Sequence, residues 1–456
     1  MGLQNIEKAS IFYKLLSVSA KFFFNLFYRR FIIVGRENIP EGQQVIFAAN
    51  HQNALMDALA MLFAYGKPVV FLARADIFKK PVIAGILYFL KMLPVFRPRD
   101  GAETMNQNYE TFHHTARVLK AGLPIAILPE GTHSPIKKLQ PLKKGICRMA
   151  FLTAESEKFS DEIMIVPVGI DYTNYSRAGT DLLLIYGKPI AVSEFYPLYQ
   201  ENPQKAIVQL RAKLSVAIHK LMIDVRQDQY FRTYMKLDQM VESKNNLNGH
   251  EARIAQFYET QEFVGKVDAV VLEDPEWMPE VQRKTQTYFN ALKKNGLREK
   301  LFQQNLPVAG SLFFSILMSL ILFPFHLAGM LFNYLPYKMP VIMARKVRDK
   351  QFLASLHYGY GFVMFLVWYI LAAVAVYLIS SSFMTVILAM LIAVFTGFIS
   401  FYHYLHLLRL RGKFRLWMLK QKHPAIVEQL INQREDILEL LREKHLLHPG
   451  TYSIRK

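Results

Sequence analysis

The chain has 456 residues, of which 52% are hydrophobic, and this length suits roughly two or three domains. Its formal net charge of +19 favours a negatively charged partner, which is nucleic acid, anionic lipid, or a phosphorylated or coenzyme-A-like molecule. The sequence has no zinc-ligand spacing, helix-turn-helix signal or RNA-binding aromatic motif, and its basic residues flank long apolar runs. A membrane surface is therefore favoured over nucleic acid. The single cysteine, Cys147, excludes an internal disulfide.

Residues 1–30 are predicted to contain an amphipathic helix. Lys14 and Lys21 lie seven residues apart and so share one helix face. The rest of the surface is apolar, with Ile11, Phe12, Leu15, Leu16, Phe22, Phe23 and Phe27. Two interpretations stay open: a helix lying in a membrane interface, and a helix packed on a soluble domain.

Residues 31–195 alternate short apolar runs with helical patterns. The strand candidates are Phe31–Val34, Val45–Ala49, Val69–Ala73, Leu93–Phe96, Ile125–Leu128, Ile163–Asp171 and Leu182–Tyr186. The helix candidates between them are Asn53–Tyr65, Pro81–Lys91, Thr104–Ala121 and Gly145–Glu155. This alternation predicts an α/β domain with a mixed, largely parallel sheet flanked by helices. Such domains carry their active sites in loops at strand ends.

Residues 196–305 are predicted to form a helical accessory region, because aromatic strand-like runs give way there to charged helical sequence. The helix candidates are Pro203–Asp224, Gln229–Lys244, Glu251–Glu262 and Glu280–Lys294. No chemical motif stands out among them, so a scaffold role is favoured.

Residues 306–408 are predicted to form a membrane region. Gly361–Ile379 and Phe383–Ser400 are each long enough to span a bilayer, and three serines join them into a tight hairpin. The apolar run 311–332 is interrupted by Pro324 and His326, so it is expected either to span or to be re-entrant. Residues 409–456 are predicted to be a basic helical tail.

Basic residues lie on both sides of the predicted hairpin. They are Lys338, Arg345, Lys346, Arg348 and Lys350 before it, and Arg409, Arg411, Lys413 and Arg415 after it. Since basic loops stay on the cytoplasmic side, both ends of the hairpin are predicted to be cytoplasmic.

The most chemically informative pattern is Asn50-His51 followed, after five residues, by Asp57, at the end of the strand candidate Val45–Ala49. A hydroxyl is a poor nucleophile at neutral pH, and a histidine is suited to take its proton. An aspartate on the other ring nitrogen fixes the tautomer and stabilises the imidazolium. Taken alone, a histidine and an aspartate six residues apart are common, and a structural contact or a helix cap is the favoured interpretation.

Three further blocks lie downstream, at residues 96–100, 129–134 and 165–171. Pro129-Glu130-Gly131-Thr132-His133-Ser134 follows a strand candidate and predicts a turn whose backbone N–H groups could hold an anion, although an ordinary surface turn is favoured for this block alone. Phe96-Arg97-Pro98-Arg99-Asp100 carries two arginines that suit phosphate oxygens, although a solvated basic turn is an open alternative. Lys137, Lys138, Lys143 and Lys144 add positive charge downstream. Ile165-Val166-Pro167-Val168-Gly169-Ile170-Asp171 is interpreted as a core strand.

The order of these blocks resembles the four motifs of the glycerophospholipid acyltransferase family, which includes lysophosphatidate and glycerol-3-phosphate acyltransferases. The resemblance covers roughly residues 30 to 195. It implies that His51 is the base and Asp57 its partner. The acceptor-binding set that it implies is Arg97, Arg99, Glu130 and Gly131, to which we add Thr132, His133 and Lys143. It also implies acyl-CoA or acyl-carrier protein as the donor.

Three positions depart from the commonest form of these motifs. Five residues separate His51 and Asp57 instead of four, which resembles a subgroup that includes yeast-type glycerol-3-phosphate acyltransferases. The longer spacer makes Asn53 a rival orienting group. His133 stands where most members have arginine, and Leu128 replaces a phenylalanine.

The sequence therefore predicts a membrane-bound O-acyltransferase of phospholipid synthesis, with its catalytic domain on the cytoplasmic face. Its expected partners are an acyl thioester, a glycerol-phosphate or lysophospholipid acceptor, and anionic membrane lipids, without nucleic acid. No cofactor or metal is expected. The alternatives are acylation of another lyso-lipid such as a lyso-aminolipid, and a non-catalytic membrane scaffold. A transporter is disfavoured because neither predicted hairpin span carries a charged residue.

Overall fold

The computed structural model of the protein describes residues 6–96, 107–241, 248–303, 309–345, 347 and 349–447. The chain divides into two compact units. Unit 1 comprises residues 1–224, 248–254 and 347–358, and unit 2 comprises residues 225–247, 255–346 and 359–456.

Unit 1 is built around an eight-stranded sheet. Its strands are β1 (Arg30–Val34), β2 (Gln44–Ala49), β3 (Val70–Arg74), β4 (Met92–Val95), β5 (Ile125–Ile127), β6 (Ile163–Tyr172), β7 (Asp181–Tyr186) and β8 (Ile190–Ala191). The order is β1-β7-β6-β2-β5-β3-β4, with β8 beside β6. Among the strands that the structure describes, β6–β7 and β6–β8 pair antiparallel and the other pairs are parallel. The predicted mixed, largely parallel sheet is confirmed.

Helices cover both faces of this sheet. Those of unit 1 are α1 (Ile11–Phe27), α2 (Ala54–Tyr65), α3 (Pro81–Phe89), α4 (Gln107–Lys120), α5 (Gly145–Ser156), α6 (Tyr196–Glu201) and α7 (Pro203–His219). All six residues of β2 are buried, as expected for a strand covered on both sides. Its alternating side chains divide between two cores. Phe47 packs with α1 and α2 on one face, and Ile46 packs with α4, α5 and α7 on the other.

Helix α1 has two different apolar faces. It begins after Ser10, whose hydroxyl accepts a hydrogen bond from the backbone N–H of Tyr13 (3.1 Å). Tyr13 and Phe24 are buried in unit 1. The opposite face stays exposed and carries Ile11, Phe12, Leu15, Val18, Phe22 and Leu26. The helix therefore packs on the domain and still presents the apolar surface that interfacial helices use.

Unit 2 is helical. It contains α8 (Phe231–Met240), α10 (Trp277–Lys294), α11 (Lys300–Gln303), α12 (Ala309–Ala344), α14 (Phe383–Lys422) and α15 (Pro424–Glu443). It also holds most of α9 (Gly249–Glu273) and of α13 (Leu353–Ser380). A buried ion pair between Arg434 and Glu299 (2.7 Å) links α15 to the segment before α11, and the hydroxyl of Tyr288 donates to the same carboxylate.

Three helices, α12, α13 and α14, are long and apolar enough to cross a membrane. The two predicted spans lie within α13 and α14. Helix α12 runs without interruption through Pro324, whereas the sequence suggested a break there. Close packing against α14 stabilises α12 as a continuous helix. A methyl group at Gly329 would lie 2.0 Å from the carbonyl oxygen of Thr396, and the side chain of Asn333 donates to the carbonyl of Ala393 (3.0 Å).

Candidate active site

The site lies where β2 ends and α2 begins. Asn50 is the first residue after β2, and its buried side chain pairs with the backbone of Ile170 in the neighbouring strand β6. Its Nδ2 donates to the carbonyl of Ile170 (3.0 Å), and its Oδ1 accepts from the N–H of Ile170 (2.7 Å). These two bonds fix the direction in which the chain leaves the sheet, and so they place His51.

His51 and Asp57 meet in the structure. The Nδ1 of His51 lies 2.8 Å from Oδ2 of Asp57. The aspartate is fully buried, whereas the histidine side chain is 13% exposed. A carboxylate only accepts hydrogen bonds, so this contact places the proton on Nδ1 and leaves the lone pair on Nε2. Among the residues that the structure describes, Nε2 has no partner, and it is therefore available to a substrate hydroxyl.

The five-residue spacer closes because Asp57 also organises the backbone of the turn. Its Oδ2 accepts the N–H groups of Gln52 (2.8 Å) and Asn53 (2.7 Å). Ala54, the first residue of α2, adopts a positive φ of 34° where the turn enters the helix. The side chain of Asn53 does not act as the rival orienting group. Its Nδ2 donates to the carbonyl of Tyr175 instead (2.7 Å).

Tyr172, at the end of β6, completes the surroundings of Asp57. Its hydroxyl donates to Oδ1 of Asp57 (2.6 Å). Burial, and then the charge of Asp57, raise the pKa of Tyr172 well above its ordinary value, so the phenol stays protonated as a donor. The motif analysis missed this residue. Period-two alternation along β6 puts its side chain on the same face as that of Ile170, and this was the available signal.

Glu130 is buried and holds two backbone segments together. Its Oε1 accepts the N–H of His51 (2.7 Å), and its Oε2 accepts the N–H of Gln140 (2.8 Å). Burial raises the pKa of Glu130 to about 7, although both hydrogen bonds lower it. Both oxygens are thus engaged by the protein, so the geometry gives Glu130 a role in positioning His51. Its predicted contact with the acceptor stays a prediction.

The predicted acceptor-binding residues after Glu130 lie in one turn. Gly131 has a φ of +69°, which only glycine adopts without strain, and its N–H donates to the carbonyl of Leu128 (3.1 Å). Thr132 is exposed. Lys143 is exposed too, and its apolar stem passes over Gly131, since a methyl group there would lie 3.5 Å from Cγ of the lysine. Thr132 and Lys143 are therefore both accessible to a ligand.

His133 stands beside the catalytic pair. Its ring meets that of His51 edge to face, with ring centroids 5.4 Å apart. Its Nε2 lies 3.3 Å from Oδ2 of Asp349, and Phe352 packs against the ring with centroids 4.9 Å apart. Asp349 and Phe352 lie more than 200 residues beyond the motif, and sequence reasoning found neither.

A buried charge cluster lies on the other face of the end of β6. Asp171 is paired with Lys137 (2.5 Å) and with the buried Arg253. Burial would raise the pKa of Asp171, but the charges of Lys137 and Arg253 outweigh it and lower the pKa. Lys137 therefore anchors the loop after Ser134 to the sheet, which is a structural use of a lysine that the sequence suggested for anion binding.

Arg97 and Arg99, the predicted phosphate ligands, lie outside the described residues. Phe96, the last described residue before them, follows β4. Within the described part of the chain, no group of three or more histidine, cysteine, aspartate or glutamate residues could hold a metal ion.

Residues 30–171 match the family model described as Acyltransferase. A 1-acyl-sn-glycerol-3-phosphate acyltransferase from Borreliella burgdorferi is 29% identical over 145 residues, which are 32% of this chain and 52% of that protein. Glycerol-3-phosphate O-acyltransferase 2 from Saccharomyces cerevisiae is 29% identical over 109 residues, which are 24% of this chain and 14% of that protein.

A crystal structure of the 1-acyl-sn-glycerophosphate acyltransferase PlsC from Thermotoga maritima covers 47% of this chain and 78% of its own, with 23% identity and a TM-score of 0.31. The matched stretch thus spans about half the length of the Borreliella relative and much less of the yeast one. His51, Asp57, Glu130, His133 and Lys143 all fall inside the residues that the family model matches.

Proposed function

We propose, as a premise, that residues 30–171 of this chain form an acyltransferase domain of the glycerophospholipid acyltransferase family. The proposed reaction is the transfer of a fatty acyl group from a thioester to a hydroxyl of a glycerol-phosphate acceptor. The observation that carries the proposal is the pair formed by His51 and Asp57, 2.8 Å apart at the end of β2. The pair leaves Nε2 of His51 without a partner among the described residues, and the histidine side chain is partly exposed.

His51 acts as the general base in this proposal. Its Nε2 takes the proton of the acceptor hydroxyl while the oxygen attacks the thioester carbonyl. The tetrahedral intermediate then collapses, the C–S bond breaks, and the leaving thiolate takes the proton back from the imidazolium. The products are the ester and the free thiol, so atoms and charge balance without a further reactant.

Asp57 supports both stages of this cycle. It keeps the proton on Nδ1 of His51 before the attack, and it stabilises the imidazolium that forms afterwards. The hydroxyl of Tyr172 and two backbone N–H groups hold the carboxylate still. The base is therefore oriented before the substrate arrives, which reduces the cost of reaching the transition state.

The acceptor phosphate is expected to lie beside the turn that carries Gly131, Thr132 and His133, where Lys143 supplies positive charge. Arg97 and Arg99 are proposed as further phosphate ligands on the strength of the family motif. The donor is proposed to be acyl-CoA or acyl-carrier protein. No cofactor or metal is needed for the proton transfers described above.

We also propose that the reaction takes place at the cytoplasmic face of a membrane. Three helices are long and apolar enough to anchor the chain, and basic residues flank them. The exposed apolar face of α1 supports the same arrangement, since both the acyl product and a lysophospholipid acceptor partition into a bilayer.

The test is a panel of acceptors offered with radiolabelled acyl-CoA to the purified full chain in phospholipid vesicles. The panel contains glycerol-3-phosphate, 1-acyl-glycerol-3-phosphate and a lyso-aminolipid. The proposal expects labelled product with one of the two phosphate acceptors. Product formed only from the lyso-aminolipid would move the acceptor to another lipid class, and no product with any acceptor would favour a non-catalytic scaffold.

A further inference from the structure

We propose that Asp349 is a positioning residue of the active site, supplied from outside the matched domain, and that it holds His133 so that this histidine binds the acceptor phosphate. This inference rests on the proposed function, because it concerns how the same site recognises its acceptor. It assigns a role to the connection between α12 and α13, which carries no sequence motif.

The segment 349–358, which the structure describes without a gap, packs into unit 1. Ala354 is completely buried in the core that also contains Phe24 of α1. The hydroxyl of Tyr358 donates to the backbone carbonyl of Ala20 (2.6 Å), and its ring lies edge to face with that of Phe24, with centroids 6.0 Å apart. Residues 349–358 are therefore held against the domain by buried contacts, and Asp349 stands at their start.

The local backbone orients the carboxylate of Asp349. Its Oδ1 accepts the N–H of Gln351 (3.0 Å) and so caps the short helical turn Lys350–Phe352. Its Oδ2 is left to face Nε2 of His133 at 3.3 Å. Oδ1 thus fixes the orientation of the Asp349 side chain, and Oδ2 contacts His133.

His133 is consequently held on three sides. Asp349 engages Nε2, Phe352 packs edge to face on the ring, and His51 borders it. Nδ1 of His133 has no partner among the described residues. Both nitrogens of an imidazolium are donors, so His133 could donate from Nε2 to Asp349 and from Nδ1 to a phosphate oxygen.

A histidine at position 133 gains more from a carboxylate partner than an arginine would. An arginine is always charged and brings five N–H donors, so it binds a phosphate without help. A histidine has only two nitrogens, and its charged form gains from a carboxylate partner. Asp349 would supply that partner, and the acceptor would complete the pair on the other nitrogen.

The experiment compares steady-state kinetics of the full chain in vesicles, with whichever of glycerol-3-phosphate and 1-acyl-glycerol-3-phosphate the wild type acylates. We expect Asp349→Asn to raise the KM for this acceptor about tenfold, the size of one charge-assisted hydrogen bond, and to leave kcat within about twofold. Asp349→Glu should restore much of the lost affinity. Glu194→Gln is the matched control, because Glu194 forms an exposed pair with Lys213 beside β8, at the opposite end of β6.

A second arm separates positioning from folding. In the His133→Arg variant, the arginine binds the acceptor phosphate without the carboxylate of Asp349. Adding Asp349→Asn to this variant should therefore change the KM for the acceptor by less than twofold, which is about the precision of additivity between two mutations. Equal effects of Asp349→Asn in both backgrounds, or an unchanged KM in the wild-type background, would overturn the inference. Since wild-type turnover is measured in the same series, failure of the proposed function is recognised separately, as a wild type that acylates neither phosphate acceptor.

Discussion

Substituting Asp57 by asparagine should leave the active-site turn in place and remove most of the catalytic activity. Asparagine keeps the shape of the side chain. Its amide oxygen can still accept from Nδ1 of His51 and from the backbone N–H groups of Gln52 and Asn53, and its amide nitrogen then faces the hydroxyl of Tyr172, which can accept. The substitution therefore removes mainly the negative charge of Asp57.

The size of the effect follows from the distance between the two charges. His51 and Asp57 have their polar atoms 2.8 Å apart, which places the centres of charge roughly 4 Å apart once the imidazolium forms. At an effective dielectric constant of about 20, that attraction is about 4 kcal/mol. Since about 1.4 kcal/mol corresponds to a factor of ten, kcat should fall by about 10³-fold.

The assay is release of free thiol from acyl-CoA at saturating acceptor, with far-ultraviolet circular dichroism to establish that the variant is folded. Glu194→Gln serves as the matched control, because it removes a carboxylate charge from an exposed ion pair away from the site and should keep the wild-type kcat. A folded Asp57→Asn protein that keeps more than about a tenth of the wild-type kcat would refute the assignment of Asp57 as the partner of the base.

Two further substitutions test the supports of the site, and a third tests an ion-pair cluster of β1 and β7. Tyr172→Phe leaves an oxygen of Asp57 without its donor, so the free energy of unfolding of unit 1 should fall by about 1–3 kcal/mol. The measurement is the reaction of Cys147 with a disulfide reagent at increasing denaturant concentration, since Cys147 is the chain's single cysteine and is buried. In Glu130→Gln, the side-chain NH₂ faces one of the two backbone N–H groups that donate to the carboxylate in the wild type, so one hydrogen bond is lost. The kcat measured by thiol release should fall by about 10- to 100-fold, and an unchanged kcat would contradict the positioning role of Glu130. Asp181, the first residue of β7, pairs with Arg29 and Arg30, and these partners outweigh the effect of burial and lower its pKa from 3.8 to about 2. Its contribution to stability is therefore present above about pH 4 and is lost as the pH falls towards 2. The stability difference between wild type and Asp181→Asn should accordingly shrink between those pH values in the same Cys147 assay, and a constant difference would contradict it.

Most of the sheet in unit 1 could be predicted because its strands are covered on both faces and so read as continuous apolar runs. The predicted strand Val45–Ala49, for example, differs from the observed β2 by one residue. Strand β8 has only two residues and leaves no periodic signal. The uninterrupted course of α12 through Pro324 could not be predicted from the local sequence either. Pro324 is a helix breaker by propensity, but tertiary packing against a neighbouring helix overrides propensity.

The core of the site could be predicted because its residues follow strand ends in sequence. His51 comes two residues after β2, and the turn of Glu130 comes after β5, which is the neighbour of β2 in the sheet. The support from Asp349 and Phe352 could not be predicted, since it depends on where a distant connection returns to the domain. Only the capping preference of Asp349 is visible locally, and that preference says nothing about which side chain its second oxygen meets.

The most direct measurement is acyl transfer by His51→Ala, with radiolabelled acyl-CoA and the acceptor that the wild type uses. The variant should remain in the membrane fraction and form no labelled ester above the level of an empty-vesicle control, because it lacks the Nε2 that takes the hydroxyl proton in this account. A purified His51→Ala protein that keeps most of the wild-type activity would contradict the account.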